Sequence, residues 1–146
     1  MISFLTILYG LLFGSFLNVC IYRIPRKESI AFPPSHCPNC QQPIKAYDNV
    51  PVLSFLMLRG KCRSCKAAIS WRYPMIEMLT AFLFWCVVTR FSVTWAAAAY
   101  LILTAMLIVI SLIDFDFMII PDVISLPGIL LGLAACLKRH MSAQTE

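Results

Sequence analysis

The sequence predicts an all-α polytopic membrane protein with about four transmembrane helices and a small cytoplasmic zinc-ribbon-like loop. The chain of 146 residues is 60% hydrophobic, has a mean hydropathy of +0.81 and carries charge on only 13% of its residues. Its apolar residues form long blocks, as membrane-spanning helices require. A soluble domain of this composition would expose large apolar patches, so a lipid bilayer is the expected environment.

Four apolar segments are predicted to cross the membrane. They cover residues 2–21, 74–89, 93–113 and 122–137. The second and fourth are short for a full crossing. The first contains Gly10 and Gly14 in the GxxxG spacing that allows transmembrane helices to pack closely. It lacks a basic start and a small-residue cleavage site, so we interpret it as a retained helix and not a signal peptide.

The net charge of +5 is concentrated in the loop after the first segment. This loop contains Arg23, Arg26, Lys27, Lys45, Arg59, Lys61, Arg63, Lys66 and Arg72. Basic loops stay on the cytoplasmic side of a membrane, so this loop is predicted to be cytoplasmic. Its aromatic residues are not interleaved with its charges as a base-stacking surface would require, so no nucleic-acid partner is expected.

Two CxxC pairs lie in this basic loop. Cys37 and Cys40 form the first pair and Cys62 and Cys65 the second, with 21 residues between the pairs. Two such pairs can close a tetrahedral site around one Zn²⁺. Cytoplasmic thiols stay reduced, which favours a metal over disulfides, and dithiol redox chemistry is the alternative. A proline-rich loop of about fifty residues cannot form a sufficient core alone, so we predict a metal-stapled ribbon of short strands and turns.

Three carboxylates interrupt the apolar sequence near the end of the third segment: Asp114, Asp116 and Asp122. A carboxylate within the hydrocarbon costs roughly 2.5 to 3.5 kcal/mol, so it usually faces a cavity and serves a function. This cost favours a functional role for Asp114. Asp116 lies two positions on, hence on a different face of a helix, and does not form a ready-made pair with Asp114. Asp122 is well placed to cap the fourth helix.

Polar residues also lie near the loop ends of the first two segments. Asn18 could hydrogen-bond a neighbouring helix or a ligand, with helix packing favoured, and Arg23 can reach lipid phosphates. Glu77 lies about one turn inside the second segment and needs a partner. Arg72 or Arg23 could supply it, and contact with a substrate or cofactor is the alternative.

Five stretches, in this order, resemble the bacterial type IV prepilin peptidase family, whose members are leader peptidase/N-methyltransferases. They are GSFLNVCIYRIP at 14–25, PPSHCPNC at 33–40, CRSC at 62–65, ISWRYPMIEMLTA at 69–81 and IDFDFMIIPDVISLPGILLGL at 113–133. The resemblance covers nearly the whole chain. It divides the chain into a first transmembrane helix (1–22), a cytoplasmic cysteine-rich zinc-binding loop (23–73) and a membrane peptidase-like region (74–146).

The resemblance implies an enzyme of the bacterial inner membrane with two activities. A membrane aspartic endopeptidase cleaves the leader of type IV prepilins or pseudopilins, for pilus assembly or type II secretion. The cysteine-loop region is linked to S-adenosylmethionine-dependent methylation of the new N-terminus. The first catalytic aspartate lies seven residues before the proline of an Ile-Pro-Asp step, which is Asp114 before Pro121 here. No glycine-rich turn marks a methyl-donor pocket, so Asn18, Arg72 and Glu77 are candidates by their place alone.

One element of the family pattern is absent from these residues. The second catalytic aspartate belongs to a Gly-x-Gly-Asp motif on a later span, and this sequence contains no such motif. We therefore expect that this chain alone lacks full peptidase activity. It would be a fragment, a truncated product, or half of a split enzyme whose C-terminal half is supplied by another chain. The alternative is a non-enzymatic membrane protein whose zinc-ribbon loop docks a partner.

Overall fold

A computed structural model describes residues 2–143, with only the backbone for residues 46, 131 and 135–143. The chain forms five α-helices: α1 (Ile2–Arg23), α2 (Leu53–Met57), α3 (Arg72–Phe91), α4 (Trp95–Phe117) and α5 (Asp122–Ala143). A short 3₁₀ turn, Ala46–Asn49, precedes α2. The predicted helical fold is confirmed.

In the part of the chain that the structure describes, three helices, α1, α3 and α4, are long and apolar enough to cross a membrane. In α5 the described residues form a shorter apolar stretch, Asp122–Ala134. Of the roughly four predicted crossings, three are thus supported by length and composition within the described residues, and the fourth segment is also helical. These helices make the chain a multi-pass membrane protein. The helix α4 extends to Phe117, past the predicted end of its segment, so that Asp114 and Asp116 lie within the helix.

The helices α1 and α3 pack backbone against backbone at the two glycines of the GxxxG pattern. A Cβ atom on Gly10 would lie 2.5 Å from the Cα of Ala81, and one on Gly14 would lie 2.6 Å from the Cα of Glu77. These separations are too short for any side chain. The close packing predicted from the glycine spacing is confirmed.

The buried core joins α4 to this helix pair. It contains Leu17, Cys20, Ile21, Ile76, Ile108, Val109 and Ile113. Ile113 is completely buried, although it directly precedes the exposed Asp114. The apolar contacts therefore fix the last turns of α4 against α1 and α3, and they set the direction in which its carboxylates point.

The loop that joins α1 to α3, residues 24–71, is called the cysteine loop below. It contains isolated bridges between His36 and Pro43 and between Lys61 and Ala68, but no strand occurs among the described residues. The prediction of short strands was wrong in this respect. Each CxxC turn reverses the chain within a few residues, which leaves no room to extend a bridge into a ladder.

The glycine contact predicts the effect of a larger residue at position 14. Gly14→Leu should lower the free energy of unfolding by about 1–3 kcal/mol, because overpacking forces α1 and α3 apart. The matched control is Gly132→Leu, since an added Cβ at Gly132 meets no atom within 4 Å. Unfolding midpoints of both variants in detergent check the prediction. Equal midpoints for the two would contradict the packing described above.

Candidate functional site

The two CxxC turns of the cysteine loop repeat one hydrogen-bond pattern. The Cys37 N–H donates to the carbonyl of Gln42 at 3.0 Å, and the Cys62 N–H donates to that of Ala67 at 2.8 Å. The residues after the second cysteine of each turn have φ near +60°, namely Gln41 and Lys66. This shared backbone presents both cysteine pairs in the same way, as a ligand set for one ion requires.

The four cysteine side chains converge on one point. The Sγ atoms of Cys37, Cys40, Cys62 and Cys65 all lie within 4.8 Å of one another. The Sγ atoms of Cys37 and Cys65 are 3.8 Å apart. A tetrahedral zinc site with Zn–S bonds of about 2.3 Å needs a sulfur separation of about 3.8 Å. The cluster therefore has the donors and the size to hold one metal ion.

Hydrogen bonds give these four thiols different pKa values, so that some lose their proton more readily than others. The backbone N–H of Ala67, aided by the Asn39 amide, lowers the pKa of Cys65 to about 6. The backbone N–H groups of Cys40 and Asn39 lower the pKa of Cys37. At Cys40 the Gln42 N–H also lowers the pKa, but burial and the neighbouring sulfurs outweigh it and raise the pKa to about 11. Thiolate character is thus favoured at one cysteine of each turn, and a divalent ion would favour it at the others.

An ion pair connects the 3₁₀ turn to the second CxxC turn. The Arg63 guanidinium donates to both carboxylate oxygens of Asp48, at 2.8 and 2.6 Å. The hydrogen bonds from Arg63 lower the pKa of Asp48. This pair could not be predicted from residue patterns, because its partners lie 15 residues apart in an irregular loop.

Glu77 is buried, and its partner is not the one predicted. Its Oε2 accepts a hydrogen bond from the Val52 backbone N–H at 2.7 Å. Of the two alternatives drawn from the sequence, the arginine partner is not found, because neither Arg72 nor Arg23 contacts this carboxylate. Both arginines have other partners, and Glu77 instead attaches the start of α2 to α3.

Arg23 holds the beginning of the cysteine loop. Its side chain is buried and donates to the carbonyls of Ser29 at 2.8 Å and Pro33 at 2.7 Å. It therefore turns into the protein and does not extend toward lipid phosphates as the sequence had suggested. Asn18 behaves as expected, because its Nδ2 donates to the Tyr73 carbonyl of α3 at 3.2 Å.

A cavity of about 470 Å³ lies between the cysteine loop and the neighbouring ends of α1 and α3. Asn18 from α1 and Tyr73 and Glu77 from α3 line one side, and Cys37 and Cys62 line the other. Small-molecule sites typically have volumes of about 300–1,000 Å³. The cavity therefore has the size of a ligand site, with the cysteine cluster at its boundary.

The aspartates of α4 lie apart from this cavity and differ in their contacts. Arg72 Nη1 donates to Asp116 Oδ1 at 2.8 Å, and Nη2 lies 2.5 Å from Oδ2 outside hydrogen-bond geometry. Asp114 is exposed in the last turn of α4 and, among the described residues, is not part of the cavity lining. The prediction that Asp114 and Asp116 do not form a pair agrees with these contacts.

Asp122 lies at the start of α5, close to its predicted role. It is the first residue of the helix, and the Pro121 carbonyl before it accepts from the N–H groups of Ile124 and Ser125. Its charge is therefore in the first turn, where a carboxylate stabilises the positive end of the helix dipole.

Two family models match the chain in sequence. The model of the bacterial peptidase A24 N-terminal domain matches residues 8–91, and that of the type IV leader peptidase family matches residues 101–145. No solved structure matches the chain.

Several curated proteins are similar over most of the chain. The prepilin leader peptidase/N-methyltransferases of Pseudomonas aeruginosa and Neisseria gonorrhoeae are each 43% identical over 89% and 85% of this chain. The type 4 prepilin-like proteins leader peptide-processing enzyme of Escherichia coli is 44% identical over 86% of it. The matches cover 53%, 52% and 54% of those proteins. The chain thus spans about half the length of the curated relatives it matches.

The cysteine geometry predicts one bound metal ion per chain. Protein purified without chelators should contain about one zinc per chain, and Cys65→Ser should lose most of it because one of four ligands is removed. The control is Cys86→Ser, which replaces a free cysteine of α3. Elemental analysis by mass spectrometry gives the ratio. Zinc loss in both variants, or in neither, would contradict the assignment.

Proposed function

This chain belongs to the type IV leader peptidase family, and we propose that it acts in leader cleavage and N-methylation of type IV prepilins or pseudopilins. The site of action is the bacterial inner membrane, with the cysteine loop in the cytoplasm. The products serve pilus assembly or type II secretion. The basic composition of the cysteine loop supports this orientation.

The observation that supports the peptidase proposal is the difference in contacts between the two α4 aspartates. Asp116 is held by Arg72, whereas Asp114 is exposed in the last turn of α4 and has no ion pair among the described residues. Its neighbour Ile113 is locked in the core, which fixes the backbone from which the carboxylate extends. Of the two α4 aspartates, Asp114 is therefore the one suited to act on a peptide at the membrane surface.

Asp114 would act as one carboxylate of an aspartic dyad. Two close carboxylates share one proton, because both cannot ionise together. The ionised group takes a proton from the attacking water, and the protonated group polarises the scissile carbonyl. The second carboxylate, which family resemblance assigns to a Gly-x-Gly-Asp motif, comes from residues other than these 146.

The metal centre has a structural role in this proposal. Cys37, Cys40, Cys62 and Cys65 would bind Zn²⁺, which brings no redox chemistry and favours tetrahedral thiolate sites. With four protein ligands the ion has no open position for a substrate. Its contribution is to hold the two CxxC turns together, and with them the boundary of the cavity.

Replacing Asp114 should abolish leader cleavage. The chain is reconstituted in lipid with a segment of a relative that supplies the Gly-x-Gly-Asp aspartate, and prepilin mass is followed with time. Asp114→Asn should slow cleavage roughly 10²- to 10⁴-fold, since it removes a general acid–base group.

Asp116→Asn is the matched control for this experiment. It removes the same charge two residues away and breaks only a partly exposed ion pair, for which the expected effect on stability is at most about 1 kcal/mol. Cleavage should stay within about tenfold of that of the unmodified chain. Normal cleavage by Asp114→Asn would refute the assignment, and binding of prepilin without cleavage by the unmodified reconstituted protein would favour a docking function.

A further inference from the structure

We propose that the cavity between the cysteine loop and the ends of α1 and α3 binds the methyl donor, and that Glu77 recognises its positive charge. This inference rests on the proposed N-methylation, which requires a donor such as S-adenosylmethionine. That molecule carries a sulfonium cation, an ammonium group and an aromatic base. Asn18, Arg72 and Glu77 were the candidates from the sequence, and they differ in whether they line the cavity and in which partners they have.

Asn18 and Glu77 line the cavity, whereas Arg72 pairs with Asp116 on α4. The amide of Asn18 is directed to backbone carbonyls of α1 and α3, at 3.2 Å each. It therefore shapes the wall of the cavity. Glu77 is the candidate that brings a charge.

The other charged groups of the lining already have partners. Arg23 donates to loop carbonyls, Arg63 and Asp48 pair with each other, and Lys45 Nζ lies 5.7 Å from the centre of the Tyr47 ring. The carboxylate of Glu77 accepts a hydrogen bond from the Val52 backbone N–H, but none of these cations forms an ion pair with it. A buried carboxylate without a cation is costly, so a positively charged ligand fits this site best.

The remaining walls suit the uncharged part of such a donor. Val19, Phe55 and Ile69 supply apolar surface, and Tyr73 adds an aromatic ring with a polar end. Small-molecule sites combine mostly apolar walls with a few fixed polar groups. A nucleoside can occupy the apolar part while the sulfonium approaches Glu77.

The test compares two ligands that differ in one charge. S-adenosylmethionine has the sulfonium, and S-adenosylhomocysteine has a neutral thioether in its place. Calorimetric titration of the purified chain in detergent should give a lower Kd for S-adenosylmethionine. Glu77→Gln, which keeps the size and an oxygen for the Val52 N–H, should raise that Kd roughly 10- to 100-fold and bring the two ligands to similar affinity. Asp116→Asn, a carboxylate outside the cavity, should change neither Kd.

Equal affinity of the unmodified chain for the two ligands would overturn the proposal without any variant, so it can fail even if Glu77→Gln does not fold. An unchanged preference for S-adenosylmethionine in Glu77→Gln with normal zinc content would overturn it as well. Methylation of prepilin by the reconstituted protein is measured separately. If the reconstituted protein methylates prepilin although one of these two contradicting binding results is obtained, the proposed function stands. Only the placement of the donor is then wrong.

Discussion

The hydrogen bond from the Val52 N–H to the buried carboxylate of Glu77 is the contact on which the rest of the arrangement depends. It attaches the cysteine loop to α3 at a point inside the helix, five residues after its start at Arg72. Glu77 can occupy this place because Gly14 of α1 leaves room for its backbone. The glycine contact, the loop position and the cavity between them are therefore parts of one structure. A charge that would be costly in an apolar helix pair becomes the anchor for a polar loop.

The charged side chains near the loop differ in whether a partner compensates their charge. Arg23, Arg63 and Arg72 each bind defined oxygen partners and so stabilise the loop start, the second CxxC turn and the end of α4. Their charge is compensated locally. Glu77 in the cavity and Asp114 at the end of α4, in contrast, form no ion pair among the described residues. These two carboxylates lie in different places, which suits an enzyme that would methylate and cleave at separate sites.

The sequence allowed prediction of features that have a short repeat or a long apolar run. The helices, the glycine contact and the convergence of four cysteines follow from the long apolar runs, the GxxxG spacing and the two CxxC pairs. The partner of Glu77 could not be predicted, because it is a backbone N–H 25 residues away. Almost any residue type can supply such a donor, so the sequence contains no signal for it. The Arg72–Asp116 pair spans 44 residues and depends on how α4 packs. The expected loop strands failed because the CxxC turns are too tight to extend them.

Hydrogen exchange at the Val52 amide tests the central claim most directly, namely that Glu77 holds the cysteine loop on the helix pair. Mass spectrometry of the chain in lipid nanodiscs, with fragmentation to single residues, gives the exchange rate at this position. The rate should be at least roughly tenfold below that of the exposed loop amides, because the bond must open before exchange occurs. Glu77→Ala should remove the protection. Exchange at Val52 as fast as that of the exposed loop amides in the unmodified chain would contradict the account.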